Sequence, residues 1–280
     1  MAHPRARSPS NIVLPPTGAL MAGIFCVVAL TAAGSDVGEK AAVPDFSGPW
    51  MRTGNAFDFA GPPPGTGPGP LVNISGDRLV PVGNYDSPIL KSWAAGEVKK
   101  HGDILLAGKL ASDAHTSCKP MGVPYVLQVR DNVWFLQTSD SITIVYQNGS
   151  QRRQVHLNAQ HSVHPAPTWF GESVGHYEGD TLVIDTIGIA VHDVSAIDRF
   201  GTPHTDAMHV VERYRVSNDH RTMRVDFTVD DSGTFTMPWQ ASVIYGRGTD
   251  SPGEYVCAEN NNNYFHEDPI PVPQSDKPDF

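Results

Sequence analysis

From Gly122 to the last cysteine, the chain is a succession of short apolar–polar runs cut by tight-turn dipeptides. That pattern leaves few folds open. Tyr125–Arg130 and Val133–Gln137 flank Asp131-Asn132, Ser141–Gln147 and Gln151–Leu157 flank Asn148-Gly149, and Gly175–Glu178 and Thr181–Thr186 flank Gly179-Asp180. Each reads as two strands joined by a turn. Further strands are expected over Met208–Val216, Thr222–Val229, Thr234–Trp239, Ser242–Tyr245 and Glu254–Glu259. Strands at this spacing, mostly without intervening helices, predict an antiparallel meander, and closing it would remove its edges. The expected class is therefore mainly β: an antiparallel meander forming a lipocalin-like or related β-barrel, with one short amphipathic helix.

That helix has its own signals. Ser87 is an N-cap candidate, Pro88 suits the first helical position, and Ile89, Leu90, Trp93, Ala94 and Val98 share a face. Lys99, Lys100 and His101 complement the C-terminal dipole before Gly102, the expected stop. The tract Gly61–Pro70 (GPPPGTGPGP) can neither donate a hydrogen-bond ladder nor hold a helix, so it reads as a linker. The resulting organisation is a signal peptide over 1–33, a strand and Pro/Gly-rich linker over 34–70, a barrel-like domain over 71–262 and a tail over 263–280.

The leader carries Arg5 and Arg7, no acid before Asp36, and the apolar run Ala19–Leu30, which is shorter than the ~20 residues of a membrane span. Thr31-Ala32-Ala33-Gly34 suits cleavage after Ala33. An uncleaved anchor is the alternative. Cleavage predicts a periplasmic or secreted protein with no stable membrane anchor. It removes two arginines and no acids, taking the net charge from −10 to −12. An acidic chain of this kind offers no concentrated cationic surface for nucleic acid. Cleavage also discards Cys26 and leaves Cys118 and Cys257, expected to pair as a disulfide in an oxidising compartment. Two separate buried thiols are the alternative.

Several residues can carry chemistry. On the Met208–Val216 strand, Glu212 shares a face with Met208, Val210, Tyr214 and Val216. A carboxylate among apolar neighbours either meets an arginine or has a raised pKa suited to acid–base work. With a two-residue turn at Gly179-Asp180, Glu178 pairs with Thr181 and His176 with Val183. His176, Glu178, Thr181 and Asp185 then project on one face, as a solvated exterior or as the wall of a cavity. Histidines concentrate over His156, His161, His164, His176, His192, His204 and His209. Imidazole exchanges protons near neutral pH or binds metal. No cofactor is expected; a divalent metal drawn from His164, His176, His204 and His209 stays open, without the i, i+4 spacing of a helical zinc motif. The expected catalytic set is Glu212, His176 and His204. Trp169, Glu178, Tyr214 and Trp239 are the expected walls and anchors for a substrate. No CxxCH haem site, helical HExxH or phosphate-cradling loop occurs, and nucleotide or Ser-His-Asp hydrolase chemistry ranks low.

The run Ser173–Thr186 (SVGHYEGDTLVIDT) resembles the S-x-G-x-W-E-G-D-T-L-V-V-[DE]-T signature of a family of exported bacterial proteins. PDFSGPW (44–50), Cys118-Lys119-Pro120, Pro203-His204-Thr205-Asp206, His209–Tyr214, Pro238-Trp239 and Cys257–Asn261 match it too. Tyr177 replaces the usual tryptophan, and Asn158-Ala159-Gln160 stands where relatives carry an Asp-Gly-Arg turn. The resemblance implies export and assigns no activity. Gly48-Pro49-Trp50 is also similar to the G-x-W opening of lipocalins.

Three functions compete on this basis. One is an extracytoplasmic enzyme, of lyase, isomerase or hydrolase type, using histidine and carboxylate groups on a small organic molecule in the barrel cavity. The second is a lipocalin-like carrier or sensor with a deep apolar cavity. The third is a surface partner-binding module, which predicts a filled barrel. Convergence of His176, His204 and Glu212 separates the first from the second.

Overall fold

The computed structural model describes residues 43–54, 57–248, 253–257 and 268–269, so the leader and most of the tail lie outside the described residues. The described chain is a closed nine-stranded β-barrel with one α-helix. In chain order its elements are β1 (Gly48–Arg52), α1 (Ser92–Leu106), β2 (Lys109–Leu110), β3 (Asn132–Gln137), β4 (Ser141–Tyr146), β5 (Gln151–Leu157), β6 (Glu172–Glu178), β7 (Thr181–Ile187), β8 (His209–Val216), β9 (Thr222–Asp230), β10 (Trp239–Arg247) and β11 (Asp268–Pro269). Around the barrel the order is β1-β10-β9-β8-β7-β6-β5-β4-β3, and β2 pairs separately with β11. Among the described residues no helix is long and apolar enough to cross a membrane.

Every barrel pairing is antiparallel except β5–β6, which is parallel in the register Val155↔Ser173 and Leu157↔Gly175. Residues 158–171 therefore cross back to the starting end of β5 before β6 begins. Asn158 opens this crossing at φ 55°, a left-handed conformation that asparagine tolerates better than most residues. At the β6–β7 hairpin, Glu178 faces Thr181 and His176 faces Val183, as the two-residue turn predicts.

Closure depends on β1, which pairs with β10 on one side and β3 on the other. The opening strand is thus a barrel stave rather than a segment tied loosely through a linker. Its Trp50 is fully buried and Arg52 nearly so. Pro62–Gly69 forms no strand, consistent with its missing donors.

Other local expectations move. Tyr125–Gln128 is a turn of 3₁₀ helix with all four residues buried, not the first arm of a hairpin. The helix runs past Gly102, whose lack of a side chain serves packing: a Cβ there would lie 2.8 Å from Val82 Cγ1. Its buried face is Ala94, Val98 and Gly102, while Trp93 is exposed. Of the expected strand Thr234–Trp239 only Trp239 is in a strand, β10, which also takes in Ser242–Tyr245; residues 234–238 and 253–257 form no strand. Cys118 and Cys257 are joined as a disulfide, with Cα atoms 5.7 Å apart.

Alternation along the strands fills the barrel. Phe135, Ile142, Ile144, Tyr146, Val155, Leu182, Ile184, Val210, Tyr214, Val225 and Phe227 are all buried in one hydrophobic cluster. Buried apolar area contributes roughly 25 cal/mol per Å², so this packing dominates the stability of the barrel.

Candidate functional site

Glu212 stands inside the barrel, fully buried, opposite Arg153 on β5. Arg153 Nη1 donates to Glu212 Oε1 (3.1 Å) and Nη2 to Oε2 (2.5 Å). Two further donors are matched: Nε reaches Ser173 Oγ (2.9 Å) and Nη2 reaches Thr186 Oγ1 (2.6 Å). The Tyr214 hydroxyl donates to Glu212 Oε1 at 2.6 Å. Burial works against the Arg153 charge, but the Glu212 carboxylate outweighs it and holds the guanidinium protonated. The nearby Tyr146 phenol is pushed up to about 12, chiefly by burial. This is a satisfied internal ion pair that occupies the barrel's centre. Of the two roles open to Glu212, the arginine partnership is the one the structure realises.

His176 and His204 do not join it. His176 projects from the outer face of β6, on the opposite side of the sheet from Glu212, and contacts Glu178 Oε1 at 3.1 Å. Glu178 also binds Arg213, and that contact above all, then His176, holds its carboxyl below the ordinary range. His204 lies in the loop before β8, with Nδ1 3.1 Å from the Thr205 carbonyl; burial lowers its pKa. Tyr214 and Trp239 are core residues, Trp239 packing among Phe59, Phe227 and Phe235. Trp169 alone of the expected wall residues lines an open cleft, and it stacks on His192 at 4.0 Å between ring centroids.

That cleft, of about 520 Å³, lies on the outside of the barrel. Arg152, Gln154 and His156 on β5 line it together with Trp169, Phe170 and Glu172, and at its floor it reaches Arg153 and Ser173 of the buried ion-pair network. At Glu172 it meets a group of residues that the expected catalytic set leaves out. His161, carried on the 158–171 crossing, places Nδ1 3.0 Å from Glu172 Oε1 and Nε2 2.9 Å from Asp185 Oδ1. The same Asp185 oxygen lies 2.9 Å from His209 Nε2. The Ser162 hydroxyl and then its amide lower the Glu172 pKa, with His161 adding to the effect.

The strand pattern explains why these side chains meet. Asp185 on β7 pairs with Val211 on β8, so Asp185 and His209 are diagonal neighbours on the outer face. An ionised carboxylate only accepts hydrogen bonds, so a neutral His209 facing Asp185 donates from Nε2. Nδ1 of His209 then carries a lone pair and has no hydrogen-bond partner among the described residues. His161, with a carboxylate at each nitrogen, bridges the two acids. The side chains Glu172, His161, Asp185 and His209 thus form one continuous hydrogen-bonded array that meets the cleft at Glu172.

Gly171-Glu172-Ser173-Val174-Gly175 spells G-x-S-x-G. Ser173 nevertheless sits within a strand, points into the core and accepts a bond from Arg153, so it is no nucleophile elbow. Among the described residues, no group of three or more His, Cys, Asp or Glu is arranged to hold a metal ion; His164, His176, His204 and His209 do not converge on one. No family model and no curated protein matches this chain. The fold and site define it as a closed β-barrel with a filled interior and a histidine–carboxylate array on its outer wall.

Proposed function

We propose that this protein is an acid–base enzyme, of lyase, isomerase or hydrolase type, acting on a small organic molecule outside the cytoplasm. The observation that carries this reading is the His209–Asp185–His161–Glu172 array, which reaches the Trp169 cleft at Glu172. His209 serves as the general base through Nδ1, oriented by Asp185 in the manner of a histidine–carboxylate pair. His161 and Glu172 hold Asp185 in place and accept the displaced charge. The cleft's aromatic face takes the apolar part of the substrate, while Arg152 and His156 offer polar contacts. The buried Arg153–Glu212 pair and the side chains packed around it fill the interior that a lipocalin-like carrier would need, which favours the cleft outside β5. The disulfide, together with the leader and small-residue cleavage site read in the sequence, supports a periplasmic or secreted location.

Two measurements test the reading. Imidazole nitrogen NMR should show His209 as the Nε2–H tautomer near neutral pH; the Nδ1–H tautomer would remove it as the base. A panel of small esters, lactones and hydroxy acids should reveal turnover. Asp185→Asn and His209→Gln should lower it by about 10²–10⁴-fold while leaving the thermal midpoint nearly unchanged. Turnover indifferent to both changes would place the chemistry elsewhere.

A further inference from the structure

A second cavity, of about 300 Å³, lies beneath Phe57 and has no part in the acid–base array. We propose that it binds a small organic carboxylate with an aromatic or branched apolar body. The argument begins with two buried donors that lack acceptors. Gln128 is only 5% exposed, and its Oε1 accepts the Arg199 amide at 2.9 Å. That bond orients the side-chain amide and leaves Nε2 as a donor with no hydrogen-bond partner among the described residues. Arg199 donates Nε to Asp58 Oδ1 (2.9 Å) and Nη1 to the Arg78 carbonyl (3.0 Å), while buried Nη2 likewise finds no acceptor. Both residues line the same cavity. Buried donors left unmatched are strongly unfavourable, and an acceptor with two oxygens complements both.

Charge points the same way. The guanidinium carbons of Arg78, Arg130 and Arg199 lie 5.3, 5.9 and 5.4 Å from the centroid of the Phe57 ring. Arg52 adds a fourth cation close by: its pKa is lowered by burial first, with Arg199 and Arg130 contributing. The carboxylates near this group are Asp58, which takes the Arg199 bond, Asp131, which lines the cavity and accepts from Asn148, Asp113, which accepts from Tyr125, and Asp198, which accepts from Thr202. Each of these acids already accepts a bond from the chain, so the charge left to meet an entering anion is that of the Arg199 guanidinium, through its unmatched Nη2.

The rest of the lining selects among anions. Phe57, Met121 and Val129 present apolar surface, and the Tyr125 hydroxyl is already committed to Asp113 Oδ2 at 2.7 Å, which leaves only its ring for a ligand. A free phosphate would leave this surface against water and its own extra oxygens without donors. An organic carboxylate satisfies the two donors at one end and fills the apolar wall with the other.

Isothermal titration of the full chain with benzoate, benzamide and inorganic phosphate at low ionic strength tests the site. Benzoate should bind saturably, benzamide about tenfold more weakly or worse, and phosphate should not displace benzoate. Arg130→Gln, at an exposed position, should weaken benzoate about tenfold. Gln128→Glu keeps the oxygen that accepts the Arg199 amide and supplies a carboxylate from the chain itself. It should abolish benzoate binding without lowering the thermal midpoint. Absence of benzoate binding by the native chain, equal affinity for benzamide, displacement by phosphate, or binding unchanged in both variants would overturn the proposal. Retained turnover at the His209 array would be unaffected by any of these results.

Discussion

Substituting glutamine for Glu212 would leave the Arg153 guanidinium sealed in the barrel with an amide in place of its counter-charge. Removing one partner of a buried pair costs about 3–5 kcal/mol, because the survivor is desolvated and uncompensated. In a barrel of this size each kcal/mol moves the thermal midpoint by roughly 2–4 °C. Glu212→Gln should therefore lower the midpoint by about 10 °C. The double change Arg153→Met, Glu212→Leu should recover most of that loss, since apolar replacement of both members is often neutral or stabilising. Recovery stays incomplete because the Tyr214 hydroxyl loses the acceptor it now holds at 2.6 Å. Thermal denaturation of the three variants completes the cycle. A midpoint unchanged in Glu212→Gln would mean that the carboxylate is not what balances Arg153, and it would reopen a chemical role for this residue.

At the scale of elements, the sequence is most legible where local chemistry decides the outcome. The β6–β7 hairpin follows from Gly179-Asp180 and strict alternation, and its register is the one expected. The place of β1 is only faintly legible: Gly48-Pro49-Trp50 resembles a lipocalin opening, but the Pro/Gly tract behind it looks like a linker and nothing local names β3 and β10 as its partners. Alternation already put Asp185 on one face of β7 and His209 on the face of β8 opposite Glu212. What it lacks is the relative register of those strands, which the long irregular connection 188–208 leaves open. His161 is harder still, since its position depends on the parallel β5–β6 crossing. That crossing is held by Gly171 at φ 65°, where a Cβ would stand 2.4 Å from the Ile187 carbonyl oxygen. Strain of this kind costs on the order of 1–3 kcal/mol. Gly171→Ala should therefore lift the crossing from β7 and break the bonds from Thr168 N to the Gly188 carbonyl and from Ala190 N to the Thr168 carbonyl. Hydrogen exchange should accelerate at the Thr168 and Ala190 amides while the β8–β9 amides stay protected. Uniform acceleration would mean that the crossing and barrel open as one unit.

For the molecule as a whole, the disulfide poses a question of scale, because one of its ends is well anchored and the other is not. Cys118 follows the turn in which Ser117 N bonds the Asp113 carbonyl, whereas Cys257 lies in a segment without regular structure beside Val256, which is 80% exposed. If only local order mattered, reduction would free this segment and leave the barrel's stability untouched. The unfolded chain responds differently. The cystines are 139 residues apart, and closing a loop of that length removes unfolded-state entropy worth about 5 kcal/mol in the chain-entropy model. Against this, the native chain regains freedom at Gly253–Cys257, up to roughly 1–2 kcal/mol for each residue fully released. Those residues keep some hold, through the Tyr255 hydroxyl on Asn148 and the Gly253 carbonyl on Gln147. The two effects oppose each other, and the unfolded-state term is the larger while these contacts persist. Reduction, or Cys118→Ser with Cys257→Ser, should lower the thermal midpoint by several degrees without changing the far-ultraviolet signature of the barrel. An unchanged midpoint with two titratable thiols would show that the segment beyond β10 frays on reduction and returns all the entropy that the crosslink withholds.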